Sequence, residues 1–154
     1  MSFAELLNVH ERLNELFLLH QEALFRLDLE LAAERLRIYE RELRVHMRVE
    51  EDLLMLVYER AGKIAGGPPE FFVGEHRRML EFLARFAAAL DELKVEGGDP
   101  ARRVIRLLDE EATFKSLCEH HDMREGAIFF PALDRVTDEE ERRELIGRCF
   151  AANS

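Results

Sequence analysis

Tryptophan is absent from this chain of 154 residues, cysteine and tyrosine occur twice each, proline four times and glycine eight times. Each scarcity excludes something. Two cysteines, Cys118 and Cys149, make no disulfide framework, so a reducing cytoplasm is the expected setting. Long uncharged apolar runs are missing too, which excludes a membrane span. The opening "MSFAELLNVHERLNEL" is charged and periodic, without the cleavable apolar run of a signal peptide. Basic residues are outnumbered, 22 Lys and Arg against 32 Asp and Glu, for a net charge of −10. That balance argues against nucleic-acid backbones and anionic membranes as partners, since both repel an acidic chain.

What is present suits a soluble helical protein: 47% hydrophobic and 35% charged residues, in a length that fits one domain over 1–154. Gly and Pro cluster only in "AGKIAGGPP" (61–69) and "EGGDP" (96–100). Between residues 3 and 61 there is no Gly or Pro, and Asp28, a good cap residue inside that stretch, divides the first two helices. Asp99-Pro100 reads as an N-cap followed by proline at the first helical position. Thr137 to Glu140 reads as a capping box. The expected elements are helix A at about 3–27, B at 29–62, C at 70–95, D at 100–130, and a short fifth helix at 138–150. The expected fold is all-α: an up-down-up-down four-helix bundle over about 3–130, with the fifth helix at its end.

Each long helix carries one apolar seam with steps of three and four residues. Histidine interrupts every seam. On A the seam passes through His10 and His20, and on B through Tyr39, His46 and Glu50. On C it passes through His76, and on D through Glu111, Cys118, His121 and Glu125. In an antiparallel pair, residues equidistant from the turn share a level. His10 and His46 are each 18 residues from Asp28. His76 and His121 are centred inside "GGDP", and Glu50 and His76 are centred in the B–C loop. Three separate turns thus bring four histidines to one level, with Glu50 and Glu125 one turn along.

Buried carboxylates without partners are costly, and a pair of di- or trivalent cations removes the problem. Imidazole and carboxylate together suit iron, manganese or zinc. The layout assigns His10 and His46 to one cation and His76 and His121 to a second. Glu50 and Glu125 stand where they bridge the two, one oxygen each way. An internal repeat agrees: at an offset of 75, His46, Glu50, Leu53, Leu54 and Met55 fall on His121, Glu125, Ile128, Phe129 and Phe130. At an offset of 66, His10 falls on His76.

At these residues the sequence resembles the hemerythrin-like, or HHE cation-binding, family. The matching pieces are "NVHERL", "HMRVEEDLL", "GEHRRMLEFL" and "HHDMREGAIFFPAL", and together they cover nearly all of residues 3–134. The resemblance implies a cofactor of two non-heme irons joined by an oxo or hydroxo bridge, with manganese and zinc behind iron. It also implies reactivity toward oxygen, peroxide or nitric oxide. One element departs from the oxygen-carrying pattern, which has His-x-x-x-His on the third helix: here Leu80 stands four residues after His76. Glu75, Glu51, His120, Tyr39 or water are the substitutes, and the sequence leaves the choice open.

The remaining polar seam residues have plainer readings. Counting along A and back along D sets His20 level with Glu111, as a hydrogen-bonded pair, with a further metal site as the sharper alternative. His120 lies about 100° off the seam and reads as solvated. Cys118 reads as a small core residue, Tyr39 as packing, and the charge runs as solvated faces. Three function classes follow. The first is a di-iron protein that binds or senses oxygen, nitric oxide, peroxide or iron. The second is a di-iron enzyme that consumes peroxide or nitric oxide, or donates iron for cluster repair. The third is a metal-free helical module for protein partners, a homo-oligomer among them.

Overall fold

The computed structural model describes all residues, 1–154, and every element in it is helical. A 3-10 turn, Phe3–Leu6, opens the chain, closed by a reciprocal capping box between Ser2 and Glu5. It leads straight into α1 (Leu7–Phe25). The chain reverses through Leu27, which takes a left-handed backbone (φ 59°), and Asp28 caps α2 (Leu29–Val49) by accepting from the Leu31 N–H at 3.1 Å. The rod then widens into a π turn, Glu50–Leu54, before α3 (Met55–Tyr58) and a 3-10 ending, Glu59–Ala61. Proline opens α4 (Pro69–Glu96), and Gly97 (φ 62°) ends it. α5 (Ala101–Arg124) passes through a second π turn, Glu125–Phe129, into α6 (Phe130–Val136). α7 (Glu139–Ala152) closes the chain.

Several boundaries differ from expectation for identifiable reasons. The second rod reaches Ala61, but as α, π, α and 3-10 pieces rather than one α-helix. The fourth continues to Val136 instead of ending near 130. In a regular α-helix Pro131 would clash with the carbonyl four residues back. The wide turn just before it changes the ladder, with the Phe130 N–H reaching the Glu125 carbonyl, and the rod carries on. Asp99 does accept from the Ala101 N–H (3.0 Å), yet Pro100 occupies the cap rather than the first helical position. Asp138, not Thr137, caps the last helix, accepting from Glu141 at 2.8 Å. The Thr137 hydroxyl instead donates back to the Leu133 carbonyl at 2.7 Å.

The helices pack as a bundle. Between α1 and α2, His10 meets His46, Arg12 meets Glu42, and His20 meets the Ala32 carbonyl, so partners ascend one helix and descend the other. Glu75 with His121 and Phe86 with Phe114 show the same reversal between α4 and α5. The apolar interior falls into two clusters. One of 20 residues runs through Phe17, Leu36, Leu83, Phe86 and Phe114. The other, of 14, gathers Phe3, Leu54, Phe72, Phe129 and Phe130, and α7 caps it with Leu145, Ile146 and Cys149. A layer of buried histidine and glutamate lies between them, held by seam positions of four rods. No helix is long and apolar enough to cross a membrane.

Candidate metal centre

His10, His46, Glu50, His76, His121 and Glu125 all lie in this layer, none more than 6% exposed. They form two overlapping groups: His10, His46, Glu50 and Glu125, and Glu50, His76, His121 and Glu125. Within each group one donor atom per residue lies within 4.8 Å of every other. Nε2 of His10 and His46 face each other at 3.2 Å, as do those of His76 and His121. Glu125 reaches both pairs with separate oxygens: Oε2 stands 3.2 Å from His10, and Oε1 is in close contact with His121. Glu50 behaves differently, since its Oε1 alone stands 2.7 Å from His46 and 3.6 Å from His76.

The backs of two rings are hydrogen-bonded to carboxylates outside the layer, and a third ring faces one without a hydrogen bond. His76 Nδ1 donates to Glu51 (3.4 Å), His121 Nδ1 donates to Glu75 (3.2 Å), and His10 Nδ1 lies 3.3 Å from Asp122. Glu75 is held in turn by Arg124 at 3.2 Å, and Arg124 also bonds the Gly66 carbonyl and His120. This contact fixes the tautomer. A ring that gives its Nδ1 proton outward presents an Nε2 lone pair inward, as a metal-binding imidazole does. His76 and His121 therefore aim two lone pairs at each other across 3.2 Å, which requires a cation or an added proton between them.

The carboxylates tell the same story. Oε1 of Glu50 and both oxygens of Glu125 are buried, and none sits in hydrogen-bond geometry with any donor. They crowd the imidazoles without hydrogen-bonding to them. With protons alone to compensate, burial disfavours the imidazolium of His10. The nearby Glu125, Asp122 and Glu50 outweigh it and raise the group to about 9. Burial is likewise overcome at His121, raised well above its ordinary value by Glu125 and Glu75, and at His76, raised by Glu50. Glu50 is driven well below the carboxylate range by His46 and His76 in spite of its burial. Asp122 goes the other way, to about 6, because burial outweighs the pull of His10. These residues fit a metal: each group offers four N and O donors of the kind that imidazole- and carboxylate-preferring ions take.

The family model for the hemerythrin HHE cation binding domain matches residues 1–133. The chain belongs to the hemerythrin HHE cation-binding family. No curated protein and no solved structure matches it. As in other hemerythrin HHE domains, metal binding is the property to be sought, and the buried His and Glu groups suit it.

The other polar residues singled out in the sequence take distinct places in this hemerythrin HHE chain. Glu51 and Glu75 stand behind rings, on their Nδ1 side. His120 is exposed, against Arg124 at 2.8 Å. Tyr39 is buried two turns from His46, its hydroxyl beside Cys118, and burial with that neighbour raises it well above its ordinary range. Tyr39, Cys118 and the four histidines share a small cavity of about 20 Å³, room for one water or a molecule of that size. His20 and Glu111, both fully buried, pair at 2.7 Å. The other ring nitrogen of His20 meets the Ala32 carbonyl at 2.8 Å, which leaves no donor for a further metal. Asp122 escaped the sequence reading. The counting that sets His20 against Glu111 sets His10 against His121, so Asp122, one residue off that level and off the seam, gave no signal. The two π turns gave none.

Proposed function

We propose that the chain is a non-heme di-iron protein. In this reading four rods in an up-down-up-down bundle, part of one domain, hold two irons between the two apolar clusters. His10 and His46 ligate one, His76 and His121 the other, and Glu50 and Glu125 bridge them. The observation that carries the reading is the facing pair of Nε2 atoms in each half, together with the unbonded buried carboxylate oxygens between them. When bound, two irons supply one-electron chemistry and open positions for a small ligand. The chain contributes the rest. Glu51 and Glu75 hold the rings of His76 and His121 in the ligating orientation, and the apolar clusters keep bulk water out.

The ligand is a small molecule: oxygen, nitric oxide or peroxide, or iron itself as a regulatory cation. The cavity at the four histidines supports it, since only a few atoms fit there. Manganese and zinc are the lesser candidates for the ions. The protein acts as a binder or sensor. An enzyme that consumes peroxide or nitric oxide, or donates iron for cluster repair, is the second reading, favoured by the same cavity. With a net charge of −10, nucleic acid and anionic membranes are not partners.

Metal analysis of purified protein, then anaerobic spectra on adding oxygen, peroxide and nitric oxide, is the test. Two irons per chain are expected, falling to one or none in His46→Ala and His121→Ala. Stoichiometric spectral change supports binding, and many cycles of peroxide loss per site support the enzyme. Protein that stays metal-free after growth and reconstitution in ferrous salt overturns both.

A further inference from the structure

A second pocket, of about 310 Å³, opens on the outside of the bundle between α2 and α4. Arg44 and Arg48 reach it from consecutive turns of α2, and Arg77 from α4. Gathering three guanidinium groups around one hollow is unusual in a chain with ten excess negative charges. Arg44 has a partner, Glu40 at 3.2 Å, in an exposed pair of the kind that contributes little. Arg48 and Arg77 form no ion pair at all. The one carboxylate in the pocket, Glu51, is turned inward to the Nδ1 of His76 at 3.4 Å. Leu80, one turn beyond His76, gives the hollow an apolar wall where a longer polar side chain would have filled it.

We propose that this α2–α4 pocket is a binding site for a small oxyanion of phosphate or carboxylate chemistry. Arg48 and Arg77 are its principal holders and Arg44 stands at its rim. Guanidinium forks match the paired oxygens of such anions, and two of the three are unengaged. The volume accommodates a polyatomic anion with its remaining waters. The pocket borders the six-residue centre through His76 and the Glu51 behind it, but the arginines that hold the anion lie outside that centre and need no metal there.

Calorimetric titration of the full chain at low ionic strength tests it, with inorganic phosphate in one arm and citrate in another. Both arms use metal-stripped protein and iron-loaded protein. Saturable binding at one anion per chain is expected with or without iron, and the stronger arm identifies the preferred chemistry. The double substitution Arg48→Ala with Arg77→Ala should weaken it about tenfold or more, as loss of charge-assisted hydrogen bonds does. Arg37→Ala with Arg102→Ala removes the same charge from exposed positions elsewhere and should leave it unchanged. Absence of saturable binding overturns the proposal. So does equal weakening in both double variants, which would mean diffuse attraction. Binding seen only with iron and retained without Arg48 and Arg77 also overturns it, because the anion would then sit on the metal.

Discussion

A carboxylate without exposed surface needs a donor or a cation, and Glu125 has no hydrogen-bonding donor among the side chains around it. Residues of this kind are what made the centre legible in sequence. A histidine or glutamate breaking an apolar seam is conspicuous, and distances counted from the turns place it at a level. The outer carboxylates were less legible, because Glu51, Glu75 and Asp122 lie off the seams and their roles depend on where each side chain turns. Their roles can be tested singly. Glu75→Gln keeps the size but removes the charge facing His121 and Arg124. Metal affinity at one of two positions should fall about 10- to 100-fold, read by competition with a chromophoric chelator. Two unaltered affinities would mean that Glu75 merely packs. The two thiols give a pH prediction. Burial first, with nearby carboxylates, pushes Cys118 to about 12 from an ordinary 9, and burial pushes Cys149 to about 12. Three units leave about a thousandfold less thiolate at pH 8, so labelling of folded protein should be slower than that of urea-unfolded protein by a comparable factor. The sign for stability follows. The unfolded thiols ionise near 9 and the folded ones near 12, so stability is unaffected below pH 9 and falls as pH rises above it. Fast labelling at pH 8 by a still-folded protein would contradict this.

At the scale of elements, the periodic seams gave the four rods and the caps gave most of their ends. The π turns stayed hidden, because the residues of "EEDLL" and "EGAIF" fit an α-helix as well. Their placement is informative nonetheless. Each begins on a bridging candidate, Glu50 or Glu125, and they repeat at the same offset of 75 that relates the two sequence halves. A widened turn shifts the seam by one residue, so donors before it and apolar side chains after it can both face inward. Pro131, just past the expected end of helix D, follows the second wide turn. The loop before α4 is fitted against this same turn. A Cβ on Gly67 would stand 2.5 Å from the Tyr58 hydroxyl and 2.6 Å from Ile128 Cγ2, while that hydroxyl already donates to the Gly67 carbonyl. Gly67→Ala should therefore destabilise by about 1–3 kcal/mol in urea unfolding. Gly74→Ala has nothing within 4 Å of its Cβ and sits inside α4, so it should stabilise by about 0.5–1 kcal/mol. If the two shifts shared a sign, the close approach at Gly67 would not be the controlling contact.

For the whole molecule, the polar layer divides what would otherwise be one core. The larger apolar cluster holds α1, α2, α4 and α5 together on one side, and the smaller one gathers α3, α6, α7 and the N-terminal turn on the other. Neither cluster supplies apolar contact across the layer, where four imidazoles stand with facing Nε2 atoms beside carboxylates with unbonded oxygens. Cations binding the folded layer and not the unfolded chain stabilise it by mass action. Metal removal should then act locally before it acts globally, because the clusters keep their own packing. Amide hydrogen exchange, compared between iron-loaded and chelated protein, reads this directly. On chelation, segments 46–55 and 121–130 should exchange faster. Amides around Phe17, Phe86 and Phe114 should keep most of their protection, because that aromatic group packs without help from the layer. Uniform acceleration along the chain would show the layer to be the keystone of the entire fold, and no acceleration anywhere would show that no cation had been holding it.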